Sequence, residues 1–274
     1  MTTDPNAVPT IVLIHGLWVT PLSWEHWIER YKARGYDVIA PAWPGMDRPI
    51  EELRTDSSTY EDVGVGEVVD HYDTIIRTLG APPIIIGHSF GGAVTQLLLD
   101  RGLGAAGVAI DSAPVRGILT LPLSTLRVGS VALRNPANNH RAVGLSAEQF
   151  HYAFTNTMSE EESARVYERY AIPGPGRTLF QASLANFNPH ATTRVDFHND
   201  NRAPLLLIAG GRDHIAPTAV TRANAKLQSR SRAITAFREF PARSHFTLGE
   251  TGWEEVADYA IDWALDPRPT VEEQ

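Results

Sequence analysis

The stretch Ile84-Ile85-Ile86-Gly87-His88-Ser89-Phe90-Gly91-Gly92-Ala93 decides the predicted fold. Its three isoleucines are typical of the end of a buried strand, and the apolar run over 93–99 predicts the first turns of a helix. The pattern G-x-S-x-G stands between the two. Glycine at 87 and 91 permits a turn too tight for larger side chains, so Ser89 is expected to project above the edge of a sheet.

The serine motif is informative only in this context. A bare G-x-S-x-G occurs by chance in roughly one chain in ten of this size, because glycine and serine are common residues. The strand before it and the helix after it favour an exposed nucleophile. A glycine-rich turn with an ordinary serine is the alternative.

Length and composition limit the classes of protein. The chain has 274 residues, 43% of them hydrophobic, and a formal net charge of -8. This size suits one large domain, or a core with an inserted subdomain. A mildly acidic chain without a basic run predicts no nucleic-acid partner and no membrane partner, and no apolar run is long enough to span a bilayer.

Cysteine is absent, which excludes disulfides, thiolate metal sites and a cysteine nucleophile. The first ten residues are polar and show no signal-peptide pattern, so a cytoplasmic location is expected. His140, His151, His190 and His198 show no metal-ligand spacing, and neither a metal nor a cofactor is expected.

Strands and helices alternate along most of the chain. Apolar runs predict strands at 10–14, 36–40, 84–86, 107–110, 203–209 and 233–240, with helices at 24–34, 66–79, 93–99, 218–227 and 253–265. This pattern predicts an α/β fold with a doubly wound, mostly parallel sheet of about six strands and helices on both faces. Residues 46–60 look irregular.

The alternation stops between residues 115 and 201, where helical pieces are predicted at 146–154, 159–170 and 179–187. We therefore expect a core domain of residues 1–114 and 202–274, and a helical cap insertion of residues 115–201 over the strand ends.

Three residues with complementary chemistry each follow a predicted strand. Ser89, Asp213 and His245 would meet at the carboxyl edge of a parallel sheet. A serine hydroxyl becomes a good nucleophile when a base takes its proton, imidazole is suited to that task, and a carboxylate can orient the imidazole. Asp213 could instead cap the next helix, and Asp111, also just past a strand, is the reserve acid.

The chain resembles the α/β-hydrolase superfamily over nearly its whole length. The matching motifs are G-H-S-F-G-G at Ser89, H-G at residues 15–16 and G-R-D-H-I-A-P at residues 211–217. The resemblance implies a catalytic triad of Ser89, Asp213 and His245. It also implies an oxyanion hole formed by the backbone N–H of Phe90 and that of Leu17 or Trp18.

Aromatic residues are the candidates for a substrate pocket. Trp18, Trp43 and Phe90 lie in predicted strand-end loops, and Phe154 and Phe180 come from the predicted insertion. Each of these could also be an ordinary core residue.

The expected function is that of a serine esterase acting on a small to medium, partly apolar carboxylic ester or lactone, as a monomer or homodimer. Few residues precede the first predicted strand. In this respect the chain resembles the compact branch of the superfamily, which contains plant methylesterases, hydroxynitrile lyases and cofactor-free dioxygenases. Phe246 and Gly16 argue against a hydroxynitrile lyase. A dioxygenase-like alternative stays open because residues 41–45 match P-x-W-x-G, although Phe90 replaces its second histidine. A ligand receptor without turnover also stays open.

Overall fold

The computed structural model describes residues 9–269. Residues 1–8 and 270–274 lie outside the described residues, so most of the polar N-terminal segment assessed for a signal peptide is not covered. No helix in the described range is both long and apolar enough to cross a bilayer.

Six strands form one sheet in the order β2-β1-β3-β4-β7-β8, and every neighbouring pair is parallel. The six strands are β1 (Ile11–Ile14), β2 (Val38–Ile39), β3 (Ile84–His88), β4 (Ala106–Ile110), β7 (Leu205–Gly210) and β8 (Thr235–Phe240). The predicted doubly wound α/β fold is confirmed. Strands β1, β3, β4 and β7 are fully buried and nearly continuous apolar runs because both faces of the sheet are covered there, whereas the edge strand β8 alternates buried and partly exposed residues.

Helices cover the sheet on both sides. The helices are α1 (Glu25–Ala33), α2 (Ile50–Thr55), α3 (Val65–Arg77), α4 (Phe90–Asp100), α5 (Leu123–Leu133), α6 (Ala147–Ala153), α7 (Glu160–Tyr170), α8 (Gly176–Ser183), α9 (Thr218–Gln228) and α10 (Trp253–Leu265).

Strand β1 shows how the two faces divide. Ile11 and Leu13 join the core that holds buried side chains of α1 and α10. Val12 and Ile14 join the core that holds α3 and α4. Successive strand residues point to opposite faces of the sheet. In β1 the residues on both faces are apolar because each face packs against a core.

The segment between β4 and β7 contains structure that the sequence pattern did not predict. Helix α5 begins after Pro122, and a short antiparallel pair joins β5 (Ala142–Val143) to β6 (Gly174–Pro175). Helix α2 also lies within the stretch 46–60 that was expected to be irregular. It escaped prediction because Leu53 is its one buried residue, which leaves no apolar periodicity.

The parallel arrangement brings five loops to one edge. The carboxyl ends of β1, β3, β4, β7 and β8 lead directly into the loops that carry the candidate residues, because neighbouring parallel strands end on the same side.

Candidate active site

Ser89 occupies the turn between β3 and α4 in a backbone conformation that is rare for serine. Its φ is 56° and its ψ is -120°. A β-carbon on Gly87 would collide with the carbonyl of Gly91, and one on Gly91 would collide with the carbonyl of Ile14. The two glycines therefore allow the strained turn, which holds the serine at the sheet edge.

Asp213 and His245 form a buried pair at the same edge. His245 donates its Nδ1–H to Asp213 Oδ2 at 2.7 Å, and both side chains are fully enclosed. Asp213 Oδ1 accepts the backbone N–H groups of Ile215 at 2.6 Å and Ala216 at 3.0 Å. These bonds fix the carboxylate, so it orients the imidazole of His245.

The loop around His245 is held from three sides. Its carbonyl accepts the Nε2–H of His88 at 2.8 Å. The next residue, Phe246, donates its N–H to the carbonyl of Phe154 at 2.9 Å. Glu250 accepts the N–H of Ser244 at 2.9 Å. The imidazole is thus positioned by its backbone as well as by Asp213.

The second nitrogen of His245 is available for chemistry. Its Nε2 is buried and has no hydrogen-bond partner within residues 9–269. Because Nδ1 carries the proton donated to Asp213, Nε2 is the basic nitrogen of the neutral ring. The ring of His88, the residue before Ser89, lies 4.7 Å from the His245 ring, which brings the two loops together.

Helix α4 and the loop after β1 both lie next to Ser89. Helix α4 begins at Phe90, whose N–H belongs to the first turn and cannot bond within the helix. The loop after β1 approaches from the other side, since a β-carbon on Gly16 would lie 2.8 Å from Ser89 Cβ. Trp18 in that loop adopts φ 68°. The N–H of Phe90 and the loop that holds Leu17 and Trp18 are therefore both close to Ser89.

His15 braces this loop. Its Nε2 accepts the N–H of Trp43 at 3.1 Å, so Nδ1 carries the proton that it shares with the carbonyl of Gly16 at 2.9 Å. Burial lowers the pKa of His15 to about 4, which keeps the ring neutral. Trp43 stacks on this ring and is buried there.

Asp111 lies beside the pair without bonding to it. Its Oδ1 accepts the N–H of Gly210 at 2.6 Å, and its Oδ2 lies 2.6 Å from Thr247 Oγ1. Thr247 Oγ1 also lies 2.7 Å from the carbonyl of Ser244, which can only accept. One hydroxyl holds one proton, so both contacts are satisfied together when Asp111 carries a proton on Oδ2.

Electrostatics agree with a neutral Asp111. Burial, and the nearby carboxylate of Asp213, raise the pKa of Asp111 well above its usual value. Burial, and the neighbouring His245, lower the pKa of His88 well below its usual value. The interior around His245 therefore combines a neutral carboxyl group with a neutral imidazole.

Nitrogen and oxygen atoms of His88, Asp111 and His245 come within 4.8 Å of one another. His88 Nε2, His245 Nδ1 and both Asp111 oxygens already have protein partners. Each of the two histidines has one free nitrogen. These give two available ligands, fewer than the three or four protein ligands of a typical zinc site.

A cavity of about 320 Å³ opens beside Ser89. Trp18 and Phe90 line it, together with a set of apolar residues from the segment between β4 and β7 that includes Ile118, Leu119, Leu121, Leu126, Leu133, Leu179 and Phe187. The leucines of residues 119–133 were not among the predicted pocket residues. Their density along the sequence is the signal that could have identified them.

Three of the predicted pocket residues lie outside this lining. Trp43 is buried against His15. Phe154 stacks on Phe150 and meets the edge of the His245 ring, 4.9 Å away between centroids. Phe180 is half-buried on α8. The lining is therefore mainly aliphatic, with Trp18, Phe90 and Phe187 as its aromatic members.

The alpha/beta hydrolase family model matches residues 11–259, a range that includes the serine turn, the acid and the histidine. The chain belongs to the alpha/beta hydrolase family. No curated protein matches this hydrolase.

Solved structures with the same fold cover almost the whole of this hydrolase. A pyrethroid hydrolase from Sphingobium faniae JZ-2 has 21% sequence identity and a TM-score of 0.64, over 95% of this chain and 99% of its own. A monoacylglycerol lipase from Paleococcus ferrophilus has 21% identity and a TM-score of 0.63, over 94% and 96%. An extracellular alpha/beta-hydrolase from a Paenibacillus species has 18% identity and a TM-score of 0.65, over 93% and 98%.

Proposed function

We propose that this hydrolase cleaves carboxylic esters or lactones through an acyl-enzyme on Ser89. The observation that carries the proposal is the buried Asp213–His245 pair, whose basic Nε2 is left without a partner near the strained serine turn. The solved structures of similar fold include proteins described as hydrolases, a lipase and esterases, which supports the same class of reaction.

In the first half-reaction, His245 Nε2 takes the hydroxyl proton as Ser89 Oγ attacks the ester carbonyl carbon. The carbonyl oxygen becomes an oxyanion, which the N–H of Phe90 and that of Leu17 or Trp18 stabilise. The tetrahedral intermediate then collapses as the bond to the alcohol breaks, and His245 returns the proton to that leaving group.

In the second half-reaction, His245 takes a proton from water as the water oxygen attacks the acyl carbon. Collapse of this intermediate releases the carboxylic acid, and the proton returns to Ser89 Oγ. Asp213 remains ionised throughout and stabilises the imidazolium that forms twice per cycle.

The cavity supports apolar substrates of small to medium size. Its volume of about 320 Å³ lies at the lower end of the ~300–1,000 Å³ range typical of ligand pockets. Its aliphatic lining favours a hydrocarbon group on the ester. We propose that residues 115–201, which supply most of that lining, act as a cap over Ser89.

The test is turnover of a series of p-nitrophenyl esters by the wild type, Ser89→Ala and the control Ser229→Ala, an exposed serine after α9. We expect Ser89→Ala to lose at least about a thousandfold in kcat, while the control keeps wild-type activity. Wild-type turnover by Ser89→Ala would contradict the proposal. Stoichiometric retention of intact ester without turnover would instead favour a receptor.

A further inference from the structure

The cap region carries an unusual exposed apolar surface. Seven large apolar side chains are exposed within residues 9–269, and six of them lie in residues 119–126 and 184–187. These six are Leu119, Leu121, Leu123, Leu126, Leu184 and Phe187. Leu123 and Phe187 are 84% and 87% exposed. Clustered exposure of this kind marks an interaction surface, whereas single exposed leucines are ordinary.

The charge around this surface differs from that of the whole chain. Residues 112–147 and 169–195 supply all six side chains, and neither stretch contains an Asp or Glu. Together they contain seven arginines, in a chain whose formal net charge is -8. The whole-chain charge predicted no anionic membrane partner, but the charge is not evenly distributed.

Most of these arginines form no ion pair with the described part of the protein itself. Within the part of the chain that the structure describes, Arg169 pairs with Glu25 and Arg177 pairs with Glu67. The other five form no ion pair there. They are Arg116, Arg127, Arg134, Arg141 and Arg194. Besides Glu25 and Glu67, two further acidic side chains approach from outside the stretches: Glu148 lines a groove with Arg127 and Arg134, and Asp62 pairs with His140.

Helix α5 presents both features on one side. Leu123, Arg127 and Arg134 are spaced i, i+4 and i+11, which places them within about 40° of one another around the helix axis. All three are exposed, and the Arg127 guanidinium lies over the Tyr152 ring at 3.9 Å from its centroid. This face of α5 therefore carries an apolar side chain next to two cations, and a surface that is both apolar and anionic could contact all three.

The apolar surface is continuous with the cavity at Ser89. Leu119, Leu121, Leu126 and Phe187 are exposed and also line that cavity. A hydrocarbon chain could therefore move from a lipid layer to Ser89 along apolar side chains. Leu123 and Leu184 are exposed but do not line the cavity, so they test the surface separately.

We propose that the surface formed by Leu119, Leu121, Leu123, Leu126, Leu184 and Phe187, together with the surrounding arginines, docks on an anionic lipid membrane. The leucines and the phenylalanine would enter the headgroup region, and the arginines would contact anionic headgroups. Binding of this kind needs no turnover, so it stands or falls independently of the proposed esterase activity.

The experiment is co-sedimentation of the full chain with two kinds of vesicle. One is pure phosphatidylcholine, and the other contains about one third phosphatidylglycerol. We expect binding to the anionic vesicles and much weaker binding to the neutral ones. Raising the salt from about 0.1 M to about 1 M shortens the Debye length from ~10 Å to ~3 Å, and should release most of the protein.

Matched variants locate the surface. Leu123→Glu, Leu184→Glu and Arg134→Glu should each weaken the partition onto anionic vesicles by about tenfold or more, with turnover of a short soluble ester unchanged. Leu265→Glu and Arg230→Glu make the same changes at exposed positions outside the two stretches and should bind like the wild type. Ser89→Ala should also bind like the wild type while lacking activity.

Two results would overturn the proposal. One is that the same fraction of the protein sediments with and without anionic vesicles. The other is a stable dimer in solution that Leu123→Glu dissociates, without any vesicle binding by the monomer, because a second copy would then be what covers the surface. Equal loss of binding in the Leu265→Glu control would also contradict the assigned location.

Discussion

His245 donates its Nδ1–H to Asp213 Oδ2 at 2.7 Å, between two side chains with no solvent exposure. The bond selects the tautomer in which Nε2 is the base, and enclosure keeps water from competing for either partner. The proposed mechanism needs this selection, because only an unprotonated Nε2 can take the serine proton.

Asp213→Asn tests that selection. The asparagine amide can donate to Nδ1 and thereby favour the wrong tautomer, so kcat/KM for a p-nitrophenyl ester should fall by about 10³–10⁴. The thermal midpoint should change little, since the shape of the side chain is kept. Steady-state kinetics and a melting curve on the same sample check both expectations.

The matched control for Asp213→Asn is Asp111→Asn, which changes the other buried carboxyl group at this edge. Because Asp111 bonds to Gly210 and Thr247 rather than to His245, this variant should keep most of the activity. Equal losses in the two variants would contradict the assignment of Asp213 as the orienting acid.

Asp111→Asn also tests the neutral state of Asp111 through the pH dependence of stability. An acid whose pKa is raised on folding contributes stability that is fully present below its unfolded pKa, near 3.8, and that is lost as the pH rises through the folded pKa. Asparagine cannot ionise and keeps one donor and one acceptor. The thermal midpoint of the variant should therefore rise relative to the wild type as the pH increases from about 5 to about 9.

Asp111→Ala supplies the comparison for this pH series. It leaves the Gly210 N–H without its acceptor, and should cost about 2 kcal/mol of unfolding free energy. A difference between wild type and Asp111→Asn that does not vary with pH would show that Asp111 does not titrate as proposed.

Alanine should destabilise the protein far more at position 87, in the serine turn, than at position 80. Gly87→Ala places a methyl group against the carbonyl of Gly91, whereas Gly80→Ala has no atom within 4 Å and no positive φ. Denaturant unfolding should show a loss of about 3 kcal/mol or more for Gly87→Ala and almost none for Gly80→Ala. Similar values for both would mean that the turn is not as closely packed as described.

Filling the cavity should change substrate preference. Ala182 lines it, so Ala182→Phe is expected to lower kcat/KM for octanoyl esters about tenfold while leaving acetyl esters nearly unaffected. Ala81→Phe, at an exposed position before β3, serves as the control. Equal effects on both chain lengths would argue that the acyl chain lies elsewhere.

The parallel sheet was predictable because its central strands β1, β3, β4 and β7 are buried on both faces. Each strand then appears in the sequence as an apolar run, as Ile84-Ile85-Ile86 does, and its carboxyl end locates the loop that follows. Ser89, Asp213 and His245 could be named in advance for that reason.

The cavity was less predictable, since its wall depends on packing between distant segments. Helix α5 exposes Leu123 and Leu126 to solvent, so the usual association of leucine with the core is misleading there. Trp43 follows a strand as expected, yet it stacks on His15 instead of facing the cavity. The position of Trp43 in the sequence located its loop correctly. Whether its side chain lay in the core or in the cavity depended on the neighbouring His15 ring.

The central claim is that Ser89 is an activated nucleophile, and covalent labelling tests it most directly. The folded protein is treated with a fluorophosphonate probe, its intact mass is measured, and the modified peptide is sequenced. We predict a single adduct on Ser89 that is absent in Ser89→Ala and strongly slowed in His245→Ala. An unmodified protein, or an adduct on another residue, would contradict the account.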